Sequence, residues 1–465
     1  MNDTNPVTEN RNSENRAEGF TFSIALEKVT PIRAKAGGLR LLPLIAATFF
    51  MVSGGPYGLE DIVHDEGYRL AILLLAVTPL FWSLPVALLV GELSAAIPED
   101  GGYYVWVRRA MGNFWGFQEA WLSLVASIFD MAIYPTLFVL YLGRFVPSWT
   151  AGWRGIAVGA TVIAVCAAWN IAGAKAVGDG SVVMMLALLA PFAVMAVMAV
   201  LHAPVAQAAA GKTAEADVIG GILIAMWNYM GWDNASTVAR EVENPQRNYP
   251  LAMMGAVVLV AVSYIVTVAA VMRTGVSPEA WSTGSWVDVG RRFGGPVLGI
   301  AIVVGGMICG GGMFNSLVLS YSRVPLAMAE DGFLPRVFTR LNPKTGAPWV
   351  SIVACSACWM GCLALGFERL VEIDVLIYGL ALVLEFVALV MLRVHEPELK
   401  RPFKVPGGIA GCVIAGIGPT IVLLIAGYRG RTEMAGPIST LLLGAILVAA
   451  GVGVYAVAKW KKASS

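Results

Sequence analysis

Charged side chains are scarce in this sequence. Only 14% of its 465 residues are Asp, Glu, Lys or Arg, whereas 57% are hydrophobic and the mean hydropathy is +0.72. A typical soluble domain carries about 25% charged residues. Many apolar runs exceed the roughly 20 residues that span a bilayer. The composition therefore predicts a polytopic membrane protein and argues against a soluble domain.

Residues suited to catalysis or metal binding are also few. The chain has three histidines without metal-site spacing and no GxxxxGKS or GxxxxGKT phosphate-binding motif. Its six cysteines all lie in apolar stretches, and we interpret them as packing residues, including the helical triplet Cys355, Cys358 and Cys362. A membrane enzyme needs a clustered nucleophile and base, and none is visible. We expect no enzymatic activity, no cofactor, no metal and no nucleic-acid partner.

The apolar runs predict twelve transmembrane helices in an all-α fold. With the N-terminus inside, the cytoplasmic segments hold 22 Lys and Arg and the outer loops hold 10, so the positive-inside rule places both termini in the cytoplasm. The polar residues 1–36 predict a disordered cytoplasmic tail. We expect a cell membrane protein, in an inner or plasma membrane. The predicted spans are 39–64, 70–97, 114–144, 152–173, 179–202, 217–240, 251–274, 295–325, 348–368, 371–393, 408–428 and 437–460.

The first predicted span is interrupted in its middle. Three glycines and a proline within Gly54–Gly58 break the apolar run, and Glu60 and Asp61 follow at once. Freed backbone groups inside a bilayer need new partners, so such a break must be buried in protein or line a cavity. In transporters, interrupted helices are often where substrate and ions bind.

Span six contains a second interruption. Trp227–Asn234 carries a glycine, two asparagines and Asp233, which must face the protein interior. Spans one and six are five apart, which predicts an inverted repeat of spans one to five and six to ten. The predicted transporter core is then 37–395, and 396–465 holds helices eleven and twelve with a short C-terminus. The half-helix ends at both breaks would offer amides and carbonyls to a solute.

Several carboxylates lie within the predicted spans with few basic partners there. Asp130 shares a helix face with Glu119, eleven residues earlier, and with Tyr134, one turn later. Such carboxylates either cap helices and bond neighbours, or hold a cationic solute or a coupling proton. We favour a functional role for Glu60, Asp130 and Asp233, and leave Glu92 and Glu385 open. Aromatic side chains that could enclose a cation are Tyr57, Tyr134, Trp227, Trp232, Tyr321 and Tyr378.

Seven segments of the sequence form a recognisable set of motifs: Gly54–Glu60, Pro98–Tyr103, Trp115–Gln118, Asp130–Pro135, Trp232–Thr237, Leu384–Phe386 and Arg401–Pro406. Together they resemble the polyamine uptake transporter and L-type amino acid transporter branch of the amino acid–polyamine–organocation (APC) superfamily. The resemblance covers most of the chain and implies the LeuT fold, with a central site between spans one, three, six, eight and ten and alternating access driven by an ion gradient.

The breaks, the carboxylates and the resemblance together give a predicted substrate site. The predicted substrate-binding residues are Ser53, Gly54, Gly55, Tyr57, Gly58, Glu60, Asp130, Tyr134, Trp227, Asn228, Trp232, Asp233, Tyr321 and Tyr378.

Two segments depart from patterns found within the superfamily. Span eight reads Asn315–Arg323, without the acidic residues of polyamine members, and is more like an amino acid permease. Span five has no lysine at 184–189, where several amino acid permeases link ion and substrate. A coupling proton would then use a carboxylate such as Glu60 or Asp130. Sodium is the alternative ion, with Ser320 and Ser322 assisting backbone carbonyls at the first break.

The predicted function is secondary active transport, namely proton-coupled uptake of polyamines or of cationic or other amino acids. An exchanger and a sodium-coupled amino acid symporter are the alternatives. A zwitterionic amino acid would place its carboxylate on the amides of Gly54–Gly58, where Glu60 would repel it, and this favours cations. Pro98–Val107 and Met328–Pro335 are either packed loops or parts of a cytoplasmic gate.

Overall fold

The structure, a computed structural model, describes residues 38–202, 217–363, 370–431, 434–435 and 438–464. The predicted tail at 1–36 lies outside these residues. The described chain is mostly helical, as predicted, and also contains one short antiparallel pair of strands, β1 (Met434–Ala435) and β2 (Ile438–Ser439). The α-helices are α1 Leu41–Val52, α2 Glu60–Thr78, α3 Leu84–Ala96, α4 Tyr103–Met111, α5 Asn113–Leu142, α6 Pro147–Thr150, α7 Trp153–Ile171, α8 Ala174–His202, α9 Val218–Trp227, α10 Pro245–Met272, α11 Ser285–Tyr321, α12 Arg323–Glu330, α13 Trp349–Cys362, α14 Leu370–His395, α15 Gly408–Arg429 and α16 Thr440–Ser464.

Nine helices in the described ranges are long and apolar enough to cross a membrane. The expectation of twelve spans is larger because three segments are short: α1 and α9 stop at the breaks, and α13 has 14 residues. Twelve crossings therefore stay a prediction. The nine candidate spans are Glu60–Ala96, Asn113–Leu142, Trp153–Ile171, Ala174–Leu201, Pro245–Met272, Ser285–Glu330, Ile373–His395, Gly408–Arg429 and Thr440–Trp460.

Two of these helical stretches change direction at a glycine. The chain passes through Gly67 at φ 71° inside α2 and through Gly295 at φ 66° inside α11. A left-handed backbone costs glycine little, whereas other residues rarely adopt it. Each kink therefore separates a short helical segment from a longer one: Glu60–Glu66 precedes the kink in α2, and 285–294 precedes the kink in α11.

Helix α1 lies at the centre of the molecule. Every residue from Ala46 to Val52 is buried, and the helix packs against α8, α10 and α11. Helix α5 packs against both α11 and α14, and residues of these three helices lie beside the two breaks. Helices α15 and α16 lie at the periphery, because only 17% and 11% of their spanning windows are buried, against 67% for Ile373–His395.

Glu92 anchors α3 to the end of α14 and to the loop that follows it. Its carboxylate accepts hydrogen bonds from Arg393 Nε at 2.6 Å and from the Val405 amide at 2.7 Å, and Arg401 Nε lies 3.2 Å away. The side chain is fully buried, so these groups supply the partners that a charged carboxylate needs away from water. This arrangement favours a structural role for Glu92.

Candidate functional site

At the first break, side-chain oxygens accept hydrogen bonds from backbone amides of the same segment. Helix α1 ends at Val52, and the chain turns through Gly55 and Gly58, both with positive φ, before α2 begins at Glu60. The Gly55 amide donates to Ser53 Oγ at 3.0 Å, and the Gly58 amide donates to Glu60 Oε2 at 2.8 Å. Two amides that were expected to face a solute are therefore already bonded within the chain.

Glu60 does not line the cavity between the breaks and bonds to two backbone amides. Its second oxygen, Oε1, accepts a hydrogen bond of 3.1 Å from the amide of Gly284, which precedes α11. The carboxylate thus joins two distant loops through backbone amides, and it is fully buried while doing so. Glu60 therefore connects the first break to the loop that precedes α11.

The second break lies directly against the first. Helix α9 ends at Trp227, and Gly231 turns the chain at φ 96° into the 3₁₀ segment 232–237. A Cβ at Gly231 would lie 2.4 Å from the Met51 carbonyl oxygen, so only glycine permits this approach. The Gly231 amide donates to Tyr378 Oη at 3.1 Å, and the Tyr378 hydroxyl donates to Asp233.

A cavity of about 370 Å³ lies between the two breaks, α5, α11 and α14. Its charged lining residues, within the described ranges, are Asp61, Asp130, Asp374 and Arg429. The guanidinium of Arg429 donates to Asp217 at 2.6 Å, so its charge is already paired. The cavity is therefore predominantly acidic.

Asp130 and Asp374 form the acidic centre of the cavity. Both are buried, with 7% and 2% exposure, and both line the cavity, from α5 and α14 respectively. The Tyr134 hydroxyl donates to Asp130, and the carboxyls of Asp130 and Asp374 lie within electrostatic range of each other. Three tyrosine side chains on the cavity wall accompany this pair: Tyr134, Tyr321 and Tyr378.

The structure brings nine of the fourteen predicted substrate residues to this cavity. Those that line it are Gly54, Tyr57, Gly58, Asp130, Tyr134, Trp227, Asn228, Tyr321 and Tyr378. The predicted residues outside its lining are Ser53, Gly55, Glu60, Trp232 and Asp233, which lie buried just behind it. The substrate-binding roles of all fourteen residues stay predictions.

The two serines proposed for an ion site are bonded elsewhere. Ser320 Oγ donates to Asn234 Oδ1 at 2.9 Å, and Ser322 Oγ accepts from the Arg323 guanidinium at 2.9 Å. Neither lines the cavity. The α11 side chains nearest Gly54 are instead Cys309 and Met313, which a Cβ at Gly54 would meet at 2.1 and 2.9 Å.

Sequence reasoning missed Asp374, although a pattern pointed to it. Asp374 precedes Tyr378 by four residues, just as Asp130 precedes Tyr134 on α5. Residues four apart share a helix face, so both pairs combine a carboxyl with a phenol on one side of a helix. Other lining residues that were not predicted include Asp61, Tyr141, Asn234, Tyr264 and Cys309.

The cavity reaches one end of the helix bundle. Its outer lining includes Gly220 near the start of α9, Thr283 before α11, Gly430 directly after α15 and Thr440 at the start of α16. No residue of the far end of the interrupted helix, around Glu241, belongs to the lining of this cavity.

Ion pairs close the opposite end. Fully buried Arg323 donates to Glu241 from Nε and Nη2 at 2.9 and 2.8 Å. The Tyr104 hydroxyl donates to Asp331 at 2.6 Å, and Arg108 pairs with the same carboxylate. The two segments interpreted as loops or gate parts, Pro98–Val107 and Met328–Pro335, are thus in direct contact.

Comparison of the sequence with known protein families identifies the family of this chain. A family model described as amino acid permease matches residues 45–457. The chain belongs to the amino acid permease family of the APC superfamily, and it is therefore a multi-pass membrane transporter, which confirms the resemblance of its motifs.

Three individual relatives show which transporters the chain is similar to. The chain is 33% identical over 415 residues to polyamine transporter RMV1 of Arabidopsis thaliana, covering 88% of this chain and 84% of the relative. It is 34% identical over 399 residues to polyamine transporter PUT1 of Oryza sativa subsp. japonica, covering 85% and 74%. Serine/threonine exchanger SteT of Bacillus subtilis is 28% identical over 341 residues, covering 70% and 75%.

Proposed function

We propose that this protein is a secondary active transporter that takes up linear organic cations, polyamines above all, together with protons. The observation that carries the proposal is the pair of buried carboxyls, Asp130 and Asp374, which line one cavity together with several tyrosines. Carboxylates pair with ammonium groups, and aromatic faces attract them. The similarity to two relatives named polyamine transporters supports the same substrate class.

The first break is poorly prepared for a substrate carboxylate. An amino acid would need free amides at Gly54–Gly58, but the Gly55 and Gly58 amides are bonded to Ser53 and Glu60. A substrate carboxylate would also meet the acidic cavity centre, where like charges repel. Cationic amino acids, which add a second positive group, are the amino acids that fit this site best.

The side chains near the first break favour a proton over sodium. Sodium is a hard cation that prefers oxygen ligands, as calcium and magnesium do. The α11 side chains against Gly54 are the sulfur-bearing Cys309 and Met313, and the Ser322 oxygen already accepts from a guanidinium. Carboxyl groups inside the bundle are the available carriers, as in other membrane proton relays.

Alternating access follows from a bundle open at one end and closed at the other. We propose twelve crossings in a LeuT-like inverted repeat, in which each broken helix counts as one crossing. The positive-inside rule would place the closed end, with Arg323, Glu241 and Asp331, in the cytoplasm together with both termini. Uptake would then require these ion pairs to separate while the cavity's outer end closes around the substrate.

A ligand screen followed by transport tests this proposal. Purified protein is heated with putrescine, spermidine, arginine, serine or leucine, since a ligand that binds only the folded state raises Tm. We expect polyamines to give the largest shift, and Asp130→Asn to remove it while Asp288→Asn, at an exposed site on α11, retains it. Larger shifts with serine or leucine than with polyamines would contradict the cation site.

Uptake into proteoliposomes then separates symport from exchange. We expect radiolabelled spermidine to accumulate in empty liposomes when the outside is acid. Accumulation that needs unlabelled solute inside the liposomes would instead identify an exchanger. A requirement for sodium at fixed pH would favour the sodium-coupled alternative.

A further inference from the structure

A second group of buried acids lies deeper in the bundle than the cavity. Glu119 on α5 and Glu385 on α14 are 0% and 1% exposed. Both carboxylate oxygens of Glu385 and Oε2 of Glu119 have no hydrogen-bond partner among the described residues. Glu119 Oε1 accepts one long bond of 3.3 Å from Ser123. Neither glutamate lines the cavity.

These glutamates repeat the cavity's acidic pair at another depth. Glu119 precedes Asp130 by eleven residues on α5, and Glu385 follows Asp374 by eleven residues on α14. Eleven residues are close to three helical turns, so each helix carries both acids on one face, about 16 Å apart. Since α5 packs against α14, one pair of acids lies at the cavity and the other lies towards the closed end.

Asp233 lies between the two levels. It interacts electrostatically with both glutamates, and its carboxylate accepts the hydroxyl of Tyr378. Tyr378 lines the cavity and also receives the Gly231 amide. Hydrogen bonds therefore link the cavity wall through Tyr378 to Asp233, and Asp233 lies within electrostatic range of the two glutamates.

An additional polar group faces this inner compartment. The Tyr103 hydroxyl on α4 is fully buried and lies beside Ser123. It interacts electrostatically with Glu119, Glu385 and Asp233 together. Because a phenolic hydroxyl can donate to a carboxylate, Tyr103 adds a polar group to these acids and no positive charge.

Among the residues that the structure describes, the titratable groups around the compartment are acids and phenols. They come from the 3₁₀ segment after α9 (Asp233), α4 (Tyr103), α5 (Glu119) and α14 (Glu385 and Tyr378). No Lys, Arg or His of the described residues acts on either glutamate. An ionised carboxylate without a partner is strongly disfavoured in such surroundings, and a proton is the cation that needs no further space.

We infer that Glu119 and Glu385, together with Asp233, form an inner proton-binding site that is linked to the substrate cavity through Tyr378 and carries the coupling proton. This inference rests on the proposed proton-coupled uptake and names the groups that perform it. Protonation forms an O–H bond on a carboxylate, and release to the opposite side breaks that bond. A cation that binds at the cavity acids would contact Tyr378, and through it change the hydrogen bond to Asp233.

The test uses the full chain in proteoliposomes with spermidine as the probe. Glu119→Gln, Glu385→Gln and the double variant are compared with wild type and with Glu66→Gln. Glu66 is a matched control because it is also buried and lacks a described hydrogen-bond partner, yet it lies outside this group. We expect the double variant to lose accumulation driven by a pH gradient while it retains spermidine exchange and the spermidine-induced Tm shift.

Infrared spectra of the purified protein give an independent readout. We expect carboxylic-acid C=O bands at neutral pH in wild type and weaker bands in each inner variant. Glu396→Gln is the infrared control and should leave the bands unchanged, because the Glu396 carboxylate is paired with Arg109. Equal gradient-driven accumulation by the double variant and wild type, or unchanged bands, would overturn the inference alone. Loss of spermidine affinity with gradient dependence intact would also overturn it, because the site would then hold substrate. Wild type that neither binds nor takes up spermidine would instead refute the proposed function.

Discussion

Replacing Asp374 by asparagine removes one negative charge from the cavity and changes its shape little. A hydrogen bond to a charged group contributes about 1.5–3 kcal/mol, so loss of one ammonium–carboxylate contact should weaken binding about 10- to 150-fold. Asp130→Asn should cost a similar amount, because both carboxyls are buried at the same cavity. The two substitutions test whether a diamine uses both acids.

The assay is a double-mutant cycle by calorimetry with putrescine and with butylamine, which has one ammonium group instead of two. We expect each single substitution to weaken putrescine, but only one of them to weaken butylamine. Asp288→Asn provides the control, since that side chain is exposed. A putrescine Kd within about twofold of wild type in Asp374→Asn, where a lost contact predicts at least tenfold, would refute the two-acid site.

Three further predictions concern the surrounding structure. Glu92→Gln breaks a buried ion pair and should destabilise the fold by about 3–5 kcal/mol, whereas Glu396→Gln, in a partly exposed pair, should cost at most about 1 kcal/mol; thermal unfolding compares them. Gly54→Ala places a Cβ against the Cys309 sulfur and should abolish uptake, and Cys309→Ala should partly restore it. Burial raises the pKa of Asp100, in the turn before α4, to about 7. The contribution of this carboxyl to stability is therefore complete below about pH 4 and is lost as pH rises through 7. Asp100→Asn should accordingly raise Tm at pH 8 but not at pH 4.

Helical spacing predicted the parts of the site that lie within one helix. Asp130 and Tyr134 are four residues apart, and their predicted common face is confirmed by a direct hydrogen bond. The two breaks could also be predicted from the sequence, because glycine and proline inside apolar runs are local features. Asp374 followed the same four-residue rule but lies near the start of α14, where a charge resembles a solvent-exposed helix end.

Contacts between segments that are far apart in the sequence could not be predicted from helical spacing. Glu60 was interpreted as a substrate residue because it follows the first break, yet its carboxylate bonds Gly284, 224 residues away. Likewise, Glu385 could be placed in the membrane from the sequence, but its proximity to Glu119 and Asp233 depends on how α14 packs against α5. Such pairings are fixed by tertiary packing, which helical periodicity does not encode.

The central claim is that the cavity selects a molecule with two positive groups. The most direct measurement compares the binding of putrescine and 4-aminobutyrate to purified wild-type protein by calorimetry. These ligands have similar length, but one ammonium group of putrescine is replaced by a carboxylate. The account predicts that putrescine binds and that 4-aminobutyrate binds far more weakly, because its carboxylate would face Asp130 or Asp374. Equal or tighter binding of 4-aminobutyrate would contradict the account.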